Sequence, residues 1–205
     1  MLSIVPVIDI LNILGTAVFG LTGAISAARK KFDIFGMSFF AALVGLGGGT
    51  LRDLIIGRLP VFWVQEPWNI AVTTAAAIFG FFTMSWLVRN DRVFIWADAL
   101  GLATFAIVGT SVSLSQGVSI YLAPFFGMIT ACFGGMFRDV VANDAPTILY
   151  GELYASAAFA GGVTYVLALS NDLGHNWSAL LGLIVGLFVR ALGIVWKMHL
   201  PRPNF

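Results

Sequence analysis

Apolar residues in this chain form long unbroken runs, separated by short polar or turn-forming clusters. Seven runs occupy about residues 5–27, 35–57, 68–88, 93–114, 118–142, 153–170 and 177–197. The breaks are Arg29-Lys30-Lys31, Arg58-Leu59-Pro60, Arg89-Asn90-Asp91-Arg92, Ser115-Gln116-Gly117, Asn143-Asp144-Ala145-Pro146 and Asn171-Asp172-Leu173-Gly174. A helix crossing hydrocarbon needs about 20 apolar residues, so the pattern predicts seven spanning helices in an all-α integral membrane protein. Trp63, Trp68, Trp177 and Trp196 flank the runs, where aromatic residues meet the membrane interface. The first run lacks a basic n-region, is longer than a signal-peptide core and ends in a basic cluster, so it reads as a spanning helix.

Composition narrows the class. The chain is 59% hydrophobic and 10% charged over 205 residues, against about 25% charged in soluble domains. Polar surface is too scarce to cover a soluble globule. A net charge of +1 argues against a nucleic-acid partner, and a single cysteine, Cys132, excludes a disulfide scaffold. Charge placement orients the spans. Arg29, Lys30, Lys31, Arg89 and Arg92 share one side with the C-terminal Lys197 and Arg202, while the other side holds only Arg58. The positive-inside rule then places the N-terminus outside and the C-terminus in the cytoplasm, with an odd number of spans.

The chain also resembles itself at an offset of 86. Gly15, Phe19 and Gly23 align with Gly101, Phe105 and Gly109; Gly48-Gly49 with Gly134-Gly135; Arg52-Asp53 with Arg138-Asp139; Pro60 with Pro146; Glu66 with Glu152. Fifteen of the 76 positions from 9 to 84 match without a gap, more than biased composition yields by chance. Residues 1–205 therefore read as one membrane domain: repeat one at about 5–88, repeat two at about 93–170, and an extra helix at about 177–197. Three spans per repeat is odd, so the second copy enters the membrane from the opposite side. That arrangement predicts a functional path between the halves.

Two features of the repeats carry candidate chemistry. The first is glycine: Gly47-Gly48-Gly49-Thr50 in span two, and Gly134-Gly135 in span five. Each interior glycine costs a helix about 1 kcal/mol relative to alanine. The runs therefore predict breaks whose freed carbonyls line a wet path; close helix packing is the alternative reading. Carbonyls of Gly47, Gly48 and Gly134 are hard oxygen ligands suited to a monovalent cation. The second feature is charge. Arg52, Asp53, Arg138 and Asp139 sit one turn beyond the glycines, where intramembrane ions face the interior or a water path. Residues i and i+1 do not face each other on a helix, so each arginine is expected to pair with a carboxylate elsewhere, in the other half or at the opposite glutamate. Asp9, Asn12 and Asp98 lie near the starts of spans one and four, Asn12 and Asp98 being repeat mates. Glu66 and Glu152 precede spans three and six as helix-start residues, and Arg190 reads as an interfacial residue reaching toward headgroups.

Other chemistry is not indicated. His175 and His199 stand apart from further ligands, Cys132 reads as a small apolar residue, and the glycine triplet lacks the Lys-Ser/Thr of a phosphate loop. No enzyme and no cofactor are expected.

The doubled Gly-Gly-x-x-Arg-Asp with Pro60 and Pro146, on a three-plus-three-plus-one plan over residues 5–197, resembles the bacterial trimeric intracellular cation channels. The resemblance implies a homotrimer in a bacterial inner membrane, among lipids. It implies an hourglass pore in each protomer around kinked helices two and five, and conduction of potassium or sodium. By position it implies that Gly47, Gly48, Gly49, Thr50, Gly134 and Gly135 form the ion path and kinks. Arg52, Asp53, Arg138 and Asp139 would be the polar and gating contacts. Phe133 stands where the first motif has Gly47, and the lysine-containing motif of animal members has no counterpart. A secondary transporter for a small solute such as glycine is the alternative, because inverted repeats serve carriers as well as channels. Gly182 and Gly186 in the last span are candidates for close packing between protomers.

Overall fold

The computed structural model describes residues 6–150 and 152–201; residue 5 of the first run and Arg202 of the charge tally lie outside them. The chain order is α1 (Pro6–Arg29), α2 (Ile34–Ile56), α3 (Phe62–Gln65), α4 (Trp68–Leu87), α5 (Asp91–Ser115), α6 (Ala123–Val141), α7 (Thr147–Tyr150), α8 (Tyr154–Ser170) and α9 (Gly174–Trp196). The seven long helices follow the seven apolar runs. The one-turn helices α3 and α7, in the connections after α2 and α6, have no counterpart in the hydropathy pattern.

Local chemistry sets the boundaries. Asp33 caps α2 by accepting the Gly36 N–H at 2.7 Å. Gly57 closes the same helix at φ 73°, a left-handed conformation natural to glycine. α6 starts at Ala123, later than the expected 118, because Pro124 has no N–H to give and belongs in a first turn.

Five helices (α1, α2, α4, α5 and α9) are long and apolar enough to cross a membrane; α8 is apolar but only 17 residues long. α6 is 19 residues long and carries Arg138 and Asp139. At 1.5 Å per residue it spans about 28 Å, close to the hydrocarbon thickness.

α5 is the centre of the bundle: every residue from Gly101 to Thr110 is buried, and it packs on α1, α6, α8 and α9. α4 and α9 are peripheral and present Phe82, Trp86, Phe188 and Trp196 outward. Gly182 and Gly186 do not lie on that outer face. They meet α8, where a methyl group on Gly161 would sit 3.0 Å from the Gly182 carbonyl oxygen. This corrects the expectation that they serve contacts between protomers; small residues here let α8 and α9 approach within one chain.

The central contacts are reciprocal between residues 86 apart. Gly15 lies against the Phe105 ring and Gly101 against the Phe19 ring, and the two rings meet edge to face at 5.2 Å. Gly48 lies against the Thr130 carbonyl and Gly134 against the Val44 carbonyl, where α2 and α6 cross. At one end of the bundle Arg29 pairs with Asp91 and Lys30 with Asp144, each at 2.7 Å. The C-terminal end of α1 thus meets the N-terminal end of α5, so these two helices run in opposite directions. Both pairs are solvent-accessible, and Asp91→Ala or Asp144→Ala is expected to change unfolding in detergent by at most about 1 kcal/mol.

Candidate functional site

The Arg-Asp pairs are buried where α2 and α6 end. Arg52 is 3% exposed and Arg138 1%. Contrary to the sequence expectation, each arginine pairs with its own neighbour. Arg52 Nε and Nη2 donate to Asp53 Oδ1 at 2.9 and 2.7 Å, and Arg138 Nε donates to Asp139 Oδ1 at 2.9 Å. The long arginine side chain curls back around the helix. The partner carboxylate is held for it by a second interaction: Asp53 Oδ2 accepts the Phe62 N–H at 2.8 Å, and Asp139 Oδ2 accepts the Thr147 N–H and hydroxyl at 2.8 and 2.9 Å. Each carboxylate therefore anchors the chain at the one-turn helix that follows, while neutralising a guanidinium that would be costly to bury alone.

Beyond that shared core the two sites differ. Arg138 Nη1 also donates to Asp98 Oδ1 at 2.6 Å and to the Thr22 hydroxyl at 3.4 Å, and its guanidinium lies 4.8 Å from the Phe94 ring centre. Among the described residues Arg52 has no ion-pair partner besides Asp53; Arg58 approaches the same Asp53 oxygen at 3.9 Å.

Arg52 borders a cavity of about 480 Å³ whose lining includes Asp9 and Asn12 of α1, Arg58, Phe62 and Glu66 after α2, Ser111 and Ser115 of α5, and His175 of α9. Most of the lining surface is apolar, Ile8, Val108, Val112 and Leu114 contributing to it, with charged groups of both signs set among them. Tyr165, buried behind it, contacts Ser111 Oγ at 3.2 Å and His175 Nδ1 at 3.0 Å.

The glycines behave differently from the expected breaks. α2 and α6 run without interruption through Gly47–Gly49 and Gly134–Gly135, so their carbonyls are not freed by a gap in the helix, and none of these glycines borders the cavity. They are contact points instead. Gly48 and Gly134 touch carbonyls across the helix crossing, Gly49 lies under the Phe62 ring, and Gly135 faces the Tyr154 hydroxyl. Gly47 is the least confined, with the Phe137 ring edge as its neighbour. Thr50 caps this cluster by donating to the Leu46 carbonyl at 2.8 Å and accepting from Trp63 Nε1 at 3.0 Å. The physical reason is packing: without a side chain, backbone meets backbone, and that contact offsets the poor helix propensity.

Arg190 also departs from expectation. It is 4% exposed, donates to the Glu152 carbonyl and lies 5.0 Å from the Tyr154 ring centre, and so does not reach toward headgroups. Glu66 borders the cavity, while Glu152 contributes its carbonyl. Phe94, Thr22 and Thr147 were not singled out by sequence. Only their repeat register, 86 residues from cavity or loop positions, points to them.

The fold and this buried charged site define a polytopic helical membrane protein with a recess of mixed apolar and charged lining inside a single bundle. Comparison with known proteins identifies the family. The sequence model of a family described as a glycine transporter matches residues 9–85 and 95–170, two segments whose starts lie the same 86 residues apart. A UPF0126 membrane protein of Vibrio cholerae is 35% identical across 94% of this chain and 81% of its own length. The UPF0126 inner membrane protein YadS of Escherichia coli is 33% identical across 93% of each. Among solved structures, the trimeric intracellular cation channel orthologue from Rhodobacter sphaeroides superposes with a TM-score of 0.91 at 36% identity, covering 95% of this chain and all of that one. A prokaryotic channel of the same kind, solved in potassium chloride, superposes with a TM-score of 0.87 at 28% identity over 95% of this chain and 99% of its own. The chain belongs to this UPF0126 family and is a prokaryotic member of the trimeric intracellular cation channels.

Proposed function

We propose that the protein is a passive channel for monovalent cations, potassium among them, with one path through each protomer of a homotrimer. The observation that carries the reading is the cavity, charged groups of both signs among its lining, that reaches from one end of the bundle to a buried arginine already neutralised by Asp53. An isolated arginine would raise a barrier to cations; a paired one does not. The reciprocal contacts and the opposite directions of α1 and α5 support two three-helix repeats of inverted topology, with α9 outside the duplication. The path runs on past the α2–α6 crossing, where the helices, continuous in this structure, would have to bend at the glycines in a conducting state to bring carbonyls of Gly47, Gly48 and Gly134 toward the ion. Arg52, Asp53, Arg138 and Asp139 control passage. The outward aromatic faces of α4 and α9 suit lipid or a second copy. The basic clusters favour an N-terminus outside an inner membrane and a C-terminus in the cytoplasm.

A second reading is favoured by the cavity's mixed charge. Arg52 and Arg58 together with Asp9 and Glu66 supply both signs of charge that the two ends of a zwitterion need, and the matching family is described as a glycine transporter. One reconstitution experiment separates the two. Planar-bilayer recordings should show discrete potassium current steps, and native mass measurement should give three copies. Saturable, ion-coupled glycine uptake without current steps would overturn the channel reading.

A further inference from the structure

The cavity around Arg52 and the plug around Arg138 are built from the same repeat positions, and this correspondence is close. Arg138 is enclosed by Asp98, Thr22 and Phe94. Subtracting or adding the 86-residue offset gives Asn12, Val108 and Ile8, and all three line the cavity at Arg52. One site is thus present twice, open at one end of the bundle and filled at the other.

Side-chain chemistry explains why they differ. Asp98 gives Arg138 a second carboxylate at 2.6 Å, and every guanidinium nitrogen of Arg138 is engaged. Asn12, at the mate position, carries no charge and makes no ion pair with Arg52, whose Nη1 has no partner among the described residues. Phe94 adds an aromatic face 4.8 Å from Arg138 and also takes Arg29 at 4.9 Å; its mate Ile8 offers none, and the ring beside Arg52 is instead that of Phe62, further away at 5.8 Å. The same asymmetry extends one turn along α1 and α5: Ser26 is buried, while its mate Val112 is half-buried and borders the cavity.

We infer that the Asp98–Arg138 ion pair, backed by Phe94, is the lock that shuts one end of the path, and that asparagine in place of aspartate at position 12 leaves the opposite end open. The inference rests on the reading that a path runs through the protomer. Asp98 and Asn12 are gating residues on this view, and the Arg-Asp pairs alone are not the switch, because both copies keep them.

The test is accessibility. In a Cys132→Ala background, Ser26→Cys reports the shut end and Val112→Cys the open end. A small cationic thiol reagent that does not cross lipid is added to either face of sealed vesicles. With the native residues at 12 and 98, the Val112→Cys reporter should react from one face, and the Ser26→Cys reporter about tenfold or more slowly from the other. Adding Asp98→Asn should raise the rate of the Ser26→Cys reporter about tenfold, and Asp98→Glu should restore slow reaction. Asn12→Asp should slow the Val112→Cys reporter by about the same factor. The copy at Arg52 already shows that a single aspartate suffices to hold such an arginine, so Asp98→Asn is expected to assemble. If it does not, Asn12→Asp decides alone. Unmoved rates in an assembled variant overturn the lock. Potassium flux through the unaltered chain is measured in the same vesicles. Shifted labelling without any flux would overturn conduction and leave the lock standing, whereas flux with unmoved labelling would overturn the lock alone.

Discussion

Asp53→Asn will be among the most damaging single changes in this protein, both to stability and to cation flux. Arg52 is buried and depends on Asp53 alone, so removing the carboxylate charge leaves an uncompensated guanidinium, a loss of about 3–5 kcal/mol in comparable buried pairs. Asparagine keeps one side-chain acceptor for the Phe62 N–H, so the anchor of α3 survives and the effect isolates charge. The unmasked arginine, joined by Arg58 nearby, makes the cavity floor positive and repels cations. The double change Arg52→Gln with Asp53→Asn removes both charges and should recover part of the stability and part of the flux. Asp139→Asn should be milder on both counts, because Asp98 still balances Arg138. Thermal unfolding in detergent and potassium flux in liposomes, measured on all four proteins, check the ranking. Equal losses for Asp53→Asn and Asp139→Asn would mean that Asp98 does not share the charge of Arg138.

Adding a single methyl group to one glycine of the triplet or of its repeat mate will separate packing from propensity. In Gly48→Ala the new methyl lands on the Thr130 carbonyl oxygen, and in Gly134→Ala on that of Val44. A backbone oxygen in a continuous helix cannot swing aside, so α2 and α6 must move apart, at about 1–3 kcal/mol for each overpacked site. Gly47→Ala puts the same methyl 3.3 Å from the edge of the Phe137 ring, which can yield. There the gain of about 1 kcal/mol in helix propensity offsets the contact, and the variant should be neutral or slightly stabilised. Melting temperatures of the three variants give the answer. Equal destabilisation of Gly47→Ala and Gly48→Ala would remove the crossing contact as the reason for these glycines.

Some of this protein was determined within its own local sequence. A run of about 20 apolar residues has no low-energy place outside a membrane or a core, so the seven long helices are legible from hydropathy alone, while the one-turn helices α3 and α7 in their connections are not. The offset of 86 was legible for the same kind of reason, since matching residues at matching intervals need no knowledge of the fold. The pairing of the charges was not legible. Helical geometry sets Arg52 and Asp53 apart on the helix surface, yet burial makes an unpaired guanidinium so costly that the side chain bends back to its neighbour. The partner that distinguishes Arg138, Asp98, lies 40 positions away in sequence. The glycines were legible as exceptional but not as contacts. Whether a glycine run breaks a helix or admits another one depends on what lies opposite. Only the tertiary structure set the Thr130 and Val44 carbonyls there, because close packing between distant segments is a property of the assembled bundle and not of either helix.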